Sequence, residues 1–270
     1  MLFFLYFYVE FKENDMEELK KKVNELLSTK DNHLPLLQGI NELVLKHYYV
    51  SLGSSLSLIP KDVEIYYVNR KATSPYVDTN MQCMIDSKMH DKIWALQSGR
   101  FGQLYFHLKG AGGIDLCLSD SPHYALCCTI KGAEINGEEF WSALKVRNRL
   151  VDIVCQHLGL SDKVEVMEWI NSVHSLPMLY RHGISQEGEC FHLRRKNLRH
   201  RDKNVLLPLR SLMDLWNKGL AINNVCKLMI YLNVHPDADI LSVLREHQFR
   251  YIPSEIRIRY NLGKNVKLYE

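Results

Sequence analysis

The sequence predicts an α+β chain, and three observations carry that prediction. From Gly102 to Ser119, GQLYFHLKGAGGIDLCLS, aliphatic and polar residues alternate on either side of a glycine-rich reversal, the pattern of a β-hairpin. Tyr124 to Ile135, YALCCTIKGAEI, continues the alternation as a third strand. Before and after this block, apolar residues recur at helical spacing.

The hairpin is the most informative stretch. Leu104, Phe106 and Leu108 alternate with Tyr105, His107 and Lys109; Ile114, Leu116 and Leu118 alternate with Asp115, Cys117 and Ser119. Successive strand side chains point to opposite faces, so one face is aliphatic and buried. Gly110, Gly112 and Gly113 supply the backbone freedom of the reversal. The other face gathers a phenol, an imidazole, an ammonium and a carboxylate, a costly set unless it is solvated or binds something. In the third strand Leu126, Cys128 and Ile130 alternate with Cys127, Thr129 and Lys131. Pairing with the hairpin would add Lys131 to His107 and Asp115 on the polar face.

Taken in order, the chain begins MLFFLYFYVEF, a run too short to span a membrane and without a preceding basic region. It reads either as an edge strand or as an extension upstream of a start at Met16. Met16 to Ser28 and Leu34 to Tyr49 follow as amphipathic helices. Pro60 marks a break, and Val63 to Asn69 is a strand by its β-branched and aromatic content. Val63, Ile65 and Tyr67 share one face of it, and Glu64, Tyr66 and Val68 the other. A glutamate in such a strand is ordinarily a solvated edge residue. Arg70 to Arg100 is expected to be long and irregular, with Tyr76, Asp78 and His90 its chemically interesting members. Asp120, Ser121 and His123 contain the ingredients of a triad, but local turn bonding accounts better for the aspartate and serine.

Glu138 to Gly159 is read as one helix closed by its glycine, and the residues from Ser161 to His174 as a second. Arg181, Arg194, Arg195, Lys196, Arg199, Arg201 and Lys203 then make the most basic tract, interleaved with His192 and His200. Such density suits a solvated face or phosphate neutralisation. Beyond Leu206 the chain reads as helical in LLPLRSLMDLWNKG and ADILSVLREHQ, and strand-like in IRIRYNL. The expected divisions are an N-terminal segment over 1–50, an α/β core over 51–204 and a C-terminal helical extension over 205–270.

With 270 residues, 46% of them hydrophobic and 24% charged, the chain can bury a real core. A net charge of +3 does not by itself mark a nucleic-acid binder. Its seven cysteines are scattered and form no CxxC pair, which points to reduced thiols and a cytoplasmic location. No Walker loop or GxGxxG is present, and no metal or cofactor is called for.

The order of these motifs resembles the methylpurine-DNA (alkyladenine, or 3-methyladenine) glycosylase family over roughly Glu64 to Leu198. GQLYFHLKGAGGIDLCLSDSPHYALCCTIKGAEINGE is similar to that family's central strands, and VEIYYV to its strand with a catalytic glutamate followed by a pocket tyrosine. VRNRLVDIVCQHLGL is similar to the helix after its glycine-proline motif, and RHGI to an R-x-G-I segment.

The resemblance implies a curved, mainly antiparallel sheet packed with helices, with a glycosylase (formyltransferase C-terminal-like) barrel-type core. It implies base excision repair by a monofunctional DNA N-glycosylase, a hydrolase that flips a damaged purine from double-stranded DNA and cleaves its glycosidic bond with activated water and no metal. Glu64 would then match the general base. Tyr66, Tyr76, His107, Asp115, Cys117 and Lys131 would line the base pocket, and Arg181, Arg194, Arg195, Lys196, Arg199 and Arg201 would hold phosphates. The chain departs from the family where Lys109, Gly110 and Ala111 replace its wedge tyrosine, and where Val146, Arg147 and Asn148 replace its glycine-proline motif. Two other expectations stand beside this one: binding of nucleic acid without chemistry, and a structural polar network in an interaction protein.

Overall fold

The computed structural model describes residues 16–31, 33–70, 76–85, 88–107, 112–172, 178–181, 186–188, 190–193, 195, 207–213, 228, 231–232, 235–246, 249 and 251–269. Two helices, α1 (Glu17–Ser28) and α2 (His33–His47), lead into β1 (Tyr48–Leu52) and the long β2 (Leu56–Asn69). β3 (Tyr76–Val77), α3 (Gln82–Ile85) and α4 (His90–Gln97) precede the hairpin β4 (Leu104–Phe106) and β5 (Ile114–Cys117). Then come β6 (Tyr124–Ile135), β7 (Glu138–Trp141), α5 (Ala143–Leu158) and α6 (Lys163–Ser172). β8 (Met178–Arg181), β9 (Cys190–Leu193), β10 (Arg210–Met213), α7 (Ile240–Glu246) and α8 (Ser254–Arg259) complete the described elements.

The strands form one strongly curled antiparallel sheet, a half-barrel packed with helices. Its main path runs β4-β5-β6-β2-β1-β8, and β2 and β6 pair along almost their whole length. β10 adds to β2 and carries β9 on its other side.

Period-two alternation sorts the side chains as the sequence requires. Val63, Ile65, Tyr67, Leu104, Phe106, Ile114, Leu116, Leu126, Cys128 and Ile130 enter the main core with α1, α2, α5 and α6. Val68, Tyr105, Cys117, Ala125 and Cys127 point the other way and meet Cys83, Ile93 and Trp94 from α3 and α4. The polar face is therefore partly roofed over. Buried polar side chains tie the helices to the sheet. Asn171 of α6 accepts from Phe106 N at 2.8 Å and donates to Phe106 O at 3.0 Å, satisfying the exposed backbone edge of β4. Buried Arg100 donates to the carbonyls of Asn171 and Ile170 at 3.0 and 3.3 Å.

Several sequence expectations change here. Pro60 does not end a strand but lies inside β2, where register shifts on either side of Asp62 relieve the ladder of the bond proline cannot donate. The region from Arg70 to Arg100 contains a short strand and two helices. Glu138 to Trp141 is a strand, because Asn136 (φ 51°) and Gly137 (φ 84°) close a two-residue hairpin with β6. Ser142 then caps α5, accepting from Lys145 N, and Gly159 (φ 67°) ends it.

Arg210 to Met213 is a strand rather than part of a helix, since pairing to both β2 and β9 outweighs local propensity. Ser254 to Arg259 is a helix rather than a strand. It follows Pro253, buries Ile256 and leaves Ile258 exposed. Ile240, Val243, Leu244, Ile252, Ile256 and Leu268 make a small core of their own. Among the described residues no helix is long and apolar enough to cross a membrane.

Candidate active site

One row of side chains crosses five strands of the half-barrel. Tyr105 pairs with Asp115, Asp115 with Thr129, Thr129 with Glu64, and Glu64 with Arg210. Residues directly opposite one another project from the same face. Glu64 is therefore not an edge residue but is 1% exposed in the middle of the sheet.

A double irregularity aims the next side chain into this row. Between Asp62 and Val63 of β2, the partner on β6 jumps from Gly132 to Ile130, leaving Lys131 as an extra, bulged residue. Bulges redirect side chains in this way. Lys131 Nζ lies 3.0 Å from Glu64 Oε2, and Tyr66 donates its hydroxyl to the same oxygen at 2.9 Å. Burial works to raise the Glu64 pKa, but the charges of Lys131 and Arg210 and the bonds from Lys131 and Tyr66 leave it below the usual carboxylate value. Glu64 is thus an ionised carboxylate in a dry setting. Burial and the neighbouring Glu64 charge push the Tyr66 phenol well up, so it remains a proton donor.

Asp115 occupies the other end. It accepts from Thr129 Oγ1 and Gln97 Nε2, both at 2.6 Å, and its Oδ2 lies 2.9 Å from His107 Nε2, off the line of the ring N–H. Burial raises its pKa, but His107, Thr129 and Gln97 outweigh it and hold the group ionised. His107 also leans on Tyr105, with ring centroids 5.2 Å apart. It sits against Gly113, where a Cβ would approach His107 Nδ1 to 3.2 Å.

Four carboxylates, those of Asp62, Glu64, Asp78 and Asp115, are at most 2% exposed as residues. Three of them have a cation beside them, as burial requires: Arg210 for Asp62, Lys131 for Glu64 and Arg195 for Asp78, while Asp115 has the imidazole of His107. Arg195 is sealed, whereas the Lys131, His107 and Arg210 side chains keep 26%, 16% and 13% of their surface. Solvent therefore meets this array first at Lys131.

The structure brings together Glu64, Tyr66, His107, Asp115 and Lys131 on one face. Tyr76 does not join them. It pairs opposite Asn69, stacks on Tyr67 at 5.1 Å and lies within the main core behind the sheet. Cys117 shares the face of Asp115 but is fully buried beside Cys127, their sulfurs 3.9 Å apart, in the cluster covered by α3 and α4.

The expected phosphate contacts also change. Arg195 is buried against Asp78, donates to Ile65 O at 3.2 Å and lies over the Tyr66 ring at 4.4 Å. Its charge is committed to Asp78, since an unpaired carboxylate there would be far costlier. Arg181 is half exposed but reaches Glu18 at 2.7 Å. Arg194, Lys196, Arg199, Arg201, Lys203 and His200 lie outside the described residues, as do Lys109, Gly110, Ala111 and the N-terminal run through Asp15.

Local bonding explains other candidates. His90 is engaged by Arg70 and by the Cys83 carbonyl. Asp120 accepts from Tyr124, and Ser121 Oγ accepts from His123 N, as a turn would have it. Among the described residues no group of three or more His, Cys, Asp or Glu side chains could hold a metal ion.

The chain matches no protein-family model and no curated protein. One part of the site escapes sequence reasoning: Arg210 lies in a segment that reads as helical, which hides its place opposite Glu64.

Proposed function

We propose that this chain is a DNA glycosylase that hydrolyses the N-glycosidic bond of a damaged purine flipped from duplex DNA, and that its half-barrel is the glycosylase core. The observation that carries this reading is the placement of Glu64: buried, held by Tyr66 and Lys131, and on the same face as the Asp115–His107 pair. A carboxylate so held accepts the proton of a water attacking C1′ as the bond to the purine breaks. Positive charge beside it at Lys131 balances the anionic base until release. His107, beside Asp115 and with part of its ring at the surface, is the group to meet the edge of the flipped base. Arg194, Lys196, Arg199 and Arg201 of the basic tract supply cations for the flanking phosphates.

The test is base release from duplex oligonucleotides carrying single alkylated or deaminated purines. Glu64→Gln should lower release by at least about 100-fold, the usual contribution of a positioned base, while DNA binding persists. Equal release by both proteins would remove Glu64 from the chemistry.

A second reading, nucleic-acid binding without catalysis, draws on the neutralisation of Glu64 by Lys131 and on the Lys109-Gly110-Ala111 sequence at the family's wedge position. It predicts binding that weakens with salt and no base release from any lesion.

A further inference from the structure

Beyond the row that carries Glu64, the same side of β2 leads to a second cation. Glu64, Tyr66, Val68 and Arg70 are spaced two apart along the chain, and Val68 packs in the cluster that holds Trp94 of α4. Arg70 follows the strand directly, and its Cζ lies 3.5 Å from the centre of the Trp94 ring, over the indole face. Its Nη2 donates to His90 Nε2. That places the ring proton of His90 on Nδ1, which donates to the Cys83 carbonyl at 2.5 Å. The platform is itself fixed: Trp94 Nε1 donates to Pro122 O at 3.0 Å, and the Arg70 backbone N–H donates to His123 O at 3.3 Å.

A surface arginine ordinarily keeps its rotamer freedom or meets a carboxylate. Arg70 does neither. Among the described residues its side chain is held by an indole and an imidazole, and no carboxylate forms an ion pair with it. The residue is nevertheless exposed. A guanidinium carries five N–H donors, and His90 takes one of them. The surrounding charge favours an anion. Between Lys88 and Trp94 the exposed charged residues are Lys88, Asp91 and Lys92, a net positive set, and Asp120 of the adjoining turn accepts from the Tyr124 hydroxyl at 2.7 Å. A planar fork already ordered in this way matches the oxygens of a phosphate.

We propose that Arg70, held on Trp94 and His90, is a preformed binding site for a phosphodiester of the DNA backbone. The choice of duplex DNA rests on the glycosylase reading, which this site deepens. Arg70 stands six residues beyond Glu64, roughly 20 Å of extended chain. The phosphate it meets therefore lies several nucleotides from the flipped purine, where contact sets register rather than chemistry.

The experiment measures binding of the full chain to an undamaged duplex oligonucleotide by fluorescence anisotropy, between about 50 and 200 mM salt. Arg70→Gln should weaken binding about tenfold at the lower salt and make the slope of log affinity against log salt shallower by about 1. Arg70→Lys keeps the charge and the slope but lacks the stacked fork, and should bind less tightly than the wild type.

Unchanged affinity and slope in Arg70→Gln would overturn the inference. So would weaker binding with an unchanged slope, the mark of a structural role. Capture of a phosphoserine peptide through Arg70, without binding of DNA, would overturn it in favour of a protein partner. Because the duplex is undamaged, the outcome does not depend on base release. A shallower slope with no release from any lesion duplex would defeat the glycosylase reading alone; release with an unchanged slope would defeat this inference alone.

Discussion

Glu64 and Asp115 stand in one row of the sheet, separated only by Thr129, and both are ionised and buried. Their partners differ. Asp115 is bound by the neutral donors Thr129 and Gln97 with His107 alongside, so its oxygens are committed to holding neighbours in place. Glu64 is held by a phenol and by Lys131, with Arg210 adding charge, and one of these cations reaches the surface. The same physical problem, a carboxylate taken out of water, is solved once for positioning and once in a form that can exchange protons.

That contrast is open to attack by mutation. The largest effect is expected in chemistry, where Glu64→Gln should cost at least about 100-fold in base release and Asp115→Asn distinctly less, since Asp115 acts through His107. Next is stability. Asp115→Ala leaves the buried donors Thr129 and Gln97 without their acceptor and removes the carboxylate beside His107, and should lower the unfolding free energy by about 3 kcal/mol in urea titrations.

A smaller effect follows from pH. Both carboxylates have folded pKa values below their unfolded ones, so their contribution is present above the unfolded carboxylate pKa and is lost as pH falls through the folded values. Urea midpoints should therefore drop on acidification below about pH 4, and Glu64→Gln should flatten part of that fall. An unchanged acid limb would mean that Glu64 is not held ionised. Smallest is Tyr66→Phe, which removes one hydrogen bond to a charged group and should cost about 1.5 kcal/mol in the same titrations.

The sheet face was legible in the sequence because period-two alternation fixes which residues look the same way. Tyr105 with His107, Asp115 with Cys117, and Thr129 with Lys131 share a side by their spacing within each strand, whereas that Glu64 joins them depends on how β2 pairs with β6, which spacing does not give. The closeness of Lys131 to Glu64 was not legible, since a bulge is a property of two strands in register and leaves little trace in either.

Arg195 misled for a related reason. In sequence it belongs to a basic run, yet its partner Asp78 is 117 residues away and only the folded chain shows the charge to be spent internally. The Asn136-Gly137 turn was a readable signal that the helical pattern after it obscured. Arg210 was masked by four residues too few to show a period, their strand character coming from β2 and β9 on either side.

Single-turnover base release from one lesion duplex by wild-type, Glu64→Gln and Asp115→Asn proteins, compared side by side, tests the central claim most directly. The account predicts rapid release by the wild type, slowed but measurable release by Asp115→Asn, and none above background by Glu64→Gln. Release by Glu64→Gln at the wild-type rate would contradict it.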